Sequence, residues 1–106
     1  MTDHYDVIVV GGGVAGLSAS VFTARADLTT LVLDAGGSIL RRNAHLENFP
    51  GFPAGINARQ LLDLIGEQAE RAGTDRRLAT VDAVERRETA DGTDFTADSR
   101  CRFHYR

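Results

Sequence analysis

The sequence has one cysteine, no lysine and no long apolar run, and each scarcity limits what the chain can do. Cys101 alone cannot form an intramolecular disulfide or a metal site built on several thiolates. The apolar run Val7 to Val10 ends at three glycines, far short of the ~18 residues that a membrane-spanning helix needs. The first residues are polar and acidic, unlike a secretory signal peptide. We therefore predict a cytoplasmic protein without a membrane partner.

The basic residues, all of them arginine, do not indicate a nucleic-acid surface. The formal net charge is −3, and the arginines of the last third are interspersed with acidic residues. A nucleic-acid-binding domain usually carries a patch of one sign, so no nucleic-acid partner is predicted. The three histidines, His4, His45 and His104, are far apart and share no helical spacing, so no metal site is predicted either.

The first third of the chain has the pattern of a strand, a helix and a second strand. Residues 5–10 contain an unbroken β-branched run, which is typical of a strand covered on both faces. After the three glycines, residues 14–26 have apolar side chains at helical spacing, with one stripe at Val14, Leu17 and Val21 and a second at Ala15, Ala19 and Phe22. Residues 30–34 form another buried run. This order predicts a right-handed βαβ unit with parallel strands.

The middle of the chain predicts a long connection followed by an amphipathic helix. Residues 35–56 are punctuated by glycine and proline and are longer than most connections in compact domains. Asn57 is a suitable N-cap, with Gln60 as its capping-box partner, and Gly73 is placed to end the helix. One face of this helix is apolar.

The end of the chain has weaker signals. Residues 77–81 predict a third parallel strand, and the segments around Asp91-Gly92 predict an antiparallel hairpin. Residues 100–106 alternate, with Cys101, Phe103 and Tyr105 on one side, and so predict a further short strand. We therefore expect two or three antiparallel strands at the C-terminal end.

The turn after the first strand matches the pattern G-x-G-x-x-G, with the sequence Gly11-Gly12-Gly13-Val14-Ala15-Gly16. The first glycine allows a tight turn, the second lets the backbone approach a pyrophosphate, and the third allows the helix to pack closely on the sheet. The N-terminus of the helix offers free N–H groups to the phosphates. Asp34 ends the second strand, where its carboxylate can accept hydrogen bonds from an adenosine ribose and repel a 2′-phosphate.

The predicted fold class is α/β. It consists of a Rossmann-like βαβ dinucleotide-binding unit with parallel strands and a short antiparallel hairpin or meander after it. We treat residues 1–106 as a single, partial domain. The fingerprint alone does not distinguish FAD from NAD.

Two segments resemble a known family. Residues 6–19 look like the start of flavoproteins with two dinucleotide domains, and Gly36-Gly37 followed by Glu47-Asn48-Phe49-Pro50-Gly51-Phe52 resembles the low-molecular-weight thioredoxin reductases. The resemblance implies that the first fingerprint binds FAD and that Asn48 lies near the isoalloxazine, in a loop that its prolines hold extended. The candidate cofactor-binding residues are Gly11, Gly12, Gly13, Val14, Ala15, Gly16, Asp34, Ala35, Gly36, Gly37 and Asn48. No catalytic residue is predicted.

The resembled family also has an NAD(P)H domain with a Cys-x-x-Cys pair, which this sequence lacks. We expect the N-terminal part of a longer flavoprotein or a truncated gene product, with a first strand that lacks one neighbour and exposes an apolar edge. A second copy or a C-terminal half would then be the partner, and the isolated chain would not be fully active. Two alternatives stay open: a non-catalytic nucleotide-binding fragment and an NAD-binding Rossmann dehydrogenase module.

Overall fold

The computed structural model describes residues 4–36 and 43–99, which form a parallel sheet, two helices and an antiparallel hairpin. Two helices pack on one face of the sheet, around Leu17, Val32 and Leu61, and the base of the hairpin packs on the other, around Leu31 and Leu33. The elements in chain order are β1 (Val7–Val10), α1 (Val14–Arg25), β2 (Thr30–Asp34), β3 (His45–Leu46), β4 (Ile56–Asn57), α2 (Ala58–Ala72), β5 (Asp75–Leu78), β6 (Val81–Thr89) and β7 (Gly92–Ser99).

The predicted βαβ unit is confirmed. The sheet has the order β1-β2-β5, and both pairings are parallel, with Val7 opposite Thr30 and Leu31 opposite Asp75. The third strand is shorter and begins earlier than the predicted segment 77–81. Gly73 and Thr74 separate its start from the end of α2, and Val81 already belongs to the hairpin.

Strand β1 lies at an edge of the sheet, as the sequence predicts. Within the described ranges its one hydrogen-bonded neighbour is β2. Ile8 and Val10 point to the face opposite the helices and are 36% and 54% exposed. An apolar strand edge of this kind is a site for pairing with another strand.

Helix α1 buries one of its two predicted apolar stripes. Leu17 and Val21 lie in the core, whereas Phe22 is 75% exposed and Ala15 and Ala19 are exposed with it. The second stripe is therefore not covered by the residues that the structure describes. Periodicity alone does not show which of two apolar stripes faces the core.

Helix α2 begins and ends where its sequence predicts. The side chain of Asn57 accepts a hydrogen bond of 3.1 Å from the backbone N–H of Gln60, and Gly73 ends the helix with a φ of 102°. Its buried residues, Leu61, Leu62 and Ile65 among them, face α1 and β2.

Replacing Asn57 by alanine is expected to lower the free energy of unfolding by about 1 kcal/mol, because one N-terminal amide of α2 loses its partner. Urea denaturation followed by circular dichroism measures the change. Asn57→Asp is the control, since aspartate caps equally well. Equal losses for both variants would contradict a capping role.

The hairpin differs from the prediction by one residue. The turn consists of Ala90 and Asp91, because Gly92, with a φ of 125°, already pairs with Thr89. The predicted turn at Asp91-Gly92 is therefore shifted. Strands β6 and β7 form a two-stranded antiparallel sheet, and the further strand predicted at residues 100–106 lies outside the described residues.

A polar network at the amino-terminal end of the parallel strands holds Tyr5, which lies two residues before β1. The hydroxyl of Tyr5 donates to Asp75 Oδ2 at 2.9 Å and accepts from Arg77 at 3.3 Å. Burial, followed by the interaction with the Asp75 carboxylate, raises the pKa of the Tyr5 phenol. This network links the entry of β1 to β5 across the sheet.

Candidate dinucleotide site

The backbone turns sharply at Gly11, directly after β1. Gly11 has a φ of 103°, in the left-handed region where residues with a side chain are strained. Its N–H still donates to the carbonyl of Leu33 at 2.8 Å, so the turn starts from the last rung of the β1–β2 ladder. The turn therefore lies at the carboxyl end of the parallel strands, where ligands bind in open α/β sheets.

Gly16 lies in the first turns of α1 and contacts the glycine turn. A Cβ built at Gly16 would overlap the carbonyl oxygen of Gly11 and lie 3.1 Å from Val9 Cγ1. Only glycine at this position lets the helix approach the turn and the strand so closely. This agrees with the role that the motif predicts for the third glycine.

The N-terminus of α1 has no side-chain cap. Gly13 is the N-cap residue, its backbone is extended, and the first turn contains no acidic side chain. The first N–H groups of a helix lack intrahelical partners, and the helix dipole adds positive potential there. The uncapped end next to the tight turn is therefore suited to a phosphate group.

Asp34 lies beside the glycine turn. It ends β2, and the pairing of Val10 with Leu33 brings the ends of the two strands together. Its Oδ1 accepts a hydrogen bond of 3.0 Å from the N–H of Gly36, and its carboxyl group lies against the buried Gly12. The structure thus brings the fingerprint and the predicted acidic residue into one cluster.

One residue at the rim of this cluster was not predicted. Leu78, at the end of β5 and opposite Asp34, is 65% exposed, and a Cβ at Gly36 would lie 3.5 Å from its Cδ1. It offers an apolar surface next to the carboxylate. No local signal in the sequence marks it, because the predicted strand 77–81 places Leu78 near its start and not at its end.

The remaining predicted residues lie around the cluster or away from it. Val14 is half-buried, and Ala15 and Ala35 are exposed. Gly37 lies outside the described residues. Asn48 is exposed on the loop between β3 and β4, a separate segment.

The loop with Asn48 has more structure than the sequence predicts. Two reverse turns follow each other, closed by the N–H of Phe52 on the Phe49 carbonyl at 3.4 Å and the N–H of Gly55 on the Phe52 carbonyl at 2.8 Å. Gly51, with a φ of 95°, follows Pro50 in the first turn. The expected extended conformation is therefore wrong, because each proline initiates a turn.

The short antiparallel pair of β3 and β4 closes this loop, and it was also not predicted. His45 pairs with Asn57, and the imidazole of His45 occupies the space that a side chain at Gly55 would need. Phe49 and Phe52, with ring centroids 6.2 Å apart, pack against the core formed by α1 and α2. The loop is thereby attached to the helical face and presents Asn48 to solvent.

The described residues contain no cluster of three or more side chains suited to a metal ion. Neither α1 nor α2 is long and apolar enough to cross a membrane.

Comparison with known proteins relates this chain to flavoproteins. Residues 6–45 match the model of an FAD binding domain family. The chain is 42% identical over 83 residues to a thioredoxin reductase of Mycolicibacterium smegmatis, covering 76% of this chain and 27% of the relative. It is 39% identical over 101 residues to a bifunctional thioredoxin reductase/thioredoxin of Mycobacterium leprae, covering 88% of this chain and 22% of the relative.

A solved structure shows the same likeness in three dimensions. The thioredoxin reductase of Lactococcus lactis superposes with a TM-score of 0.74 at 30% identity, over 91% of this chain and 32% of that one. This chain spans about a quarter to a third of the length of these proteins. The comparisons confirm the family resemblance that the sequence motifs predict.

Proposed function

We propose that this chain, which is an FAD-binding unit similar to the N-terminal part of the thioredoxin reductases, holds FAD for electron transfer between a pyridine nucleotide and an acceptor. The observation that carries the proposal is the cluster of Gly11, Gly16 and Asp34 at the carboxyl ends of β1 and β2. A tight turn, a closely packed helix N-terminus and an adjacent carboxylate fit the adenosine diphosphate half of a dinucleotide.

Each group in the cluster has a distinct part in this binding. The N–H groups at Gly13 and in the first turn of α1 would hold the pyrophosphate, because they have no capping side chain. The carboxylate of Asp34 would accept hydrogen bonds from the ribose and disfavour a 2′-phosphate. Leu78 would offer an apolar surface to the ligand at the rim of the site, beside Gly36.

The loop between β3 and β4 would lie beside the isoalloxazine. Asn48 has an amide that both donates and accepts hydrogen bonds, and Phe49 and Phe52 fix the loop on the core. Bound FAD supplies the redox chemistry, accepting and releasing electron pairs, while the chain positions it and excludes water. Cys101 is the only cysteine, so we do not propose disulfide transfer within this chain.

We also propose a cytoplasmic location and a partner that supplies the nicotinamide site, either a second copy or a C-terminal half. The share of the relatives' length that this chain matches, about a quarter, supports the need for a partner. Reduction of the bound flavin by NADH or NADPH with and without such a partner would test it.

Replacing Asp34 by alanine is expected to weaken FAD binding by about tenfold to a hundredfold, the loss for hydrogen bonds to a charged group. The purified chain is incubated with FAD, separated by gel filtration and titrated by flavin fluorescence. Asp63→Ala, on the exposed side of α2, is the matched control and should bind as the unaltered chain does.

Three outcomes would change the proposal. Failure of the unaltered chain to retain flavin would overturn it. Tighter binding of NAD than of FAD would favour a dehydrogenase module instead. Equal affinity for ADP and FAD would indicate a nucleotide-binding unit in which the loop around Asn48 contributes nothing to the flavin.

A further inference from the structure

The open edge of β1 presents main-chain groups at alternate residues. The N–H groups of Val7 and Gly11 donate to carbonyl oxygens of the neighbouring β2 segment, at 3.0 and 2.8 Å. Successive residues of a strand turn these groups to opposite sides, so those of Ile8 and Val10 point away from β2. Among the residues that the structure describes, none forms a main-chain hydrogen bond with this side of β1. The edge is therefore ready to receive another strand.

Helix α1 has an exposed apolar stripe on the same side of the molecule. The stripe consists of Ala15, Ala19 and Phe22, and Phe22 is 75% exposed. Leu17 and Val21, on the opposite side of α1, pack with residues of α2 in the core. Helix α2 precedes β5, which lies at the other edge of the sheet from β1. The stripe therefore faces away from α2, towards the side where β1 is open.

The edge of β1 is complementary to itself. Antiparallel pairing about a two-fold axis at Val9 places Ile8 of one copy opposite Val10 of the other. These two residues lie on the same face of the sheet, where they are 36% and 54% exposed, so apolar side chains meet across the axis. Each such pair exchanges both of its main-chain hydrogen bonds, so the outward-pointing groups of Ile8 and Val10 all find partners.

The position of α1 allows this pairing. Helix α1 contacts both strands, since Gly16 lies against Val9 and Thr23 Oγ1 lies 2.8 Å from Thr30 Oγ1. Its axis therefore runs between β1 and β2. Because neighbouring strands are about 4.8 Å apart, the two copies of α1 would be about 10 Å apart across the two-fold axis. Packed helices have axes about 8–10 Å apart, so the exposed stripes would meet and cover each other.

The area of this surface limits the strength of the association. Phe22 offers about 150 Å², and the apolar side chains of β1 and the two alanines bring the area to about 500 Å² in each copy. Two copies would bury about 1,000 Å², which is the lower limit for a specific interface. We therefore infer that β1 pairs with β1 of a second copy of this chain, in a two-fold symmetric dimer with a dissociation constant of about 10–100 μM.

The dimer joins the two sheets in the order β5-β2-β1-β1-β2-β5. Its paired strands run in opposite directions, so the two glycine turns lie at opposite ends of the joined sheet and both dinucleotide sites stay open. The inference goes beyond the proposed function, because it concerns the chain without FAD. At a few micromolar the chain stays single by mass action, so unfolding measured in dilute solution reports one copy.

The first test is sedimentation equilibrium of the chain without FAD, at concentrations from about 1 to 500 μM. The average mass should rise from one copy to two. Ile8→Lys should weaken the association at least about tenfold, because the two-fold axis brings the introduced charge into the interface twice. Leu64→Lys is the matched control, since Leu64 is 46% exposed on α2, and it should associate as the unaltered chain does. A chain that stays single over the whole range would overturn the inference.

The second test examines the register. Val10→Glu alone should also weaken the association. The double variant Ile8→Lys/Val10→Glu should regain it, because the pairing places each introduced lysine opposite an introduced glutamate. This regained association should weaken as salt is added. A double variant that associates no better than either single variant would overturn the pairing of Ile8 with Val10.

The third test locates the interface in the unaltered chain and does not depend on the folding of any variant. Hydrogen exchange of single amides is followed by NMR at about 20 and 500 μM, where the Ile8 and Val10 amides should slow by about threefold. The Val7 and Gly11 amides, which already bond to the β2 segment, are the internal reference. A dimer in which the Ile8 and Val10 amides exchange at an unchanged rate would place the interface elsewhere and overturn the inference. Full protection of these amides in the dilute chain would also overturn it, since another segment of the chain would then pair with β1. Failure to bind FAD would remove the proposed function and leave all three tests unaffected.

Discussion

The variant Leu17→Ala is expected to lower the free energy of unfolding by about 3 kcal/mol, within the range of 2–5 found for buried leucines. Leu17 is completely buried at the junction of α1, α2 and β2, next to Val21, Val32 and Leu61. Removing its side chain leaves a cavity that the two helices cannot close without leaving the sheet. A chain of this size has a total stability of about 5–15 kcal/mol, so the loss is a large part of it.

The control for this prediction is Phe22→Ala, on the same helix. Phenylalanine is the larger side chain, yet at Phe22 it is 75% exposed, so its removal should cost no more than about 0.5 kcal/mol. Urea denaturation of both variants, followed by circular dichroism, gives the comparison. A large loss at Phe22 would show that the second apolar stripe of α1 is covered in solution, by a second copy or another segment.

Leu17 and Phe22 also show what the sequence can and cannot predict about the fold. The βαβ unit was predictable because a β-branched run, a glycine turn and a helical pattern follow each other without interruption. Helix α2 was predictable because both its caps are local signals, Asn57 at one end and Gly73 at the other. The choice between the stripes of Leu17 and Phe22 depends on where α2 packs, which no local signal reports.

The start of β5 and the pair of β3 and β4 were missed for the same reason, because contacts between distant segments set both. Strand β5 begins at Asp75 because that residue pairs with Leu31, far away in the chain. The short pair of β3 and β4 depends on Gly55, because a side chain there would overlap the imidazole of His45. Both depend on contacts between distant segments, and residue patterns in a short window do not contain that information.

One part of the candidate site was also predictable from the sequence, and another part was not. The spacing of the glycines and Asp34 predicts one cluster, and the structure brings these residues together. The contact between Gly12 and the carboxyl group of Asp34 was not predictable, because the fingerprint leaves position 12 open. The position of Leu78 likewise follows from the order of the strands and not from its neighbours in sequence.

Replacing Gly16 by alanine is expected to destabilise the chain by about 2 kcal/mol and to weaken FAD binding by at least about tenfold. Helix propensity alone predicts the opposite sign, since alanine in a helix interior is favoured over glycine by about 1 kcal/mol. The reversal arises because the new Cβ would overlap the carbonyl oxygen of Gly11, a backbone atom in a turn that is tied to β2. Helix α1 must then move away from the turn and withdraw its N-terminus from the phosphates.

The matched control is Gly66→Ala, a second glycine inside a helix. A Cβ at Gly66 would come within 2.8 Å of Arg76 Nη1, which is the end of a flexible side chain. The Arg76 guanidinium pairs with Glu70 at 3.2 Å and can shift to make room. The alanine should therefore be neutral or stabilise the chain by up to about 1 kcal/mol, with FAD binding unchanged. Thermal unfolding and flavin titration of both variants separate the two effects. Opposite signs at the two positions are the result expected if α1 rests directly on the glycine turn. The same sign at both positions would mean that the helix stands further from the turn, which would remove the structural basis for a pyrophosphate site.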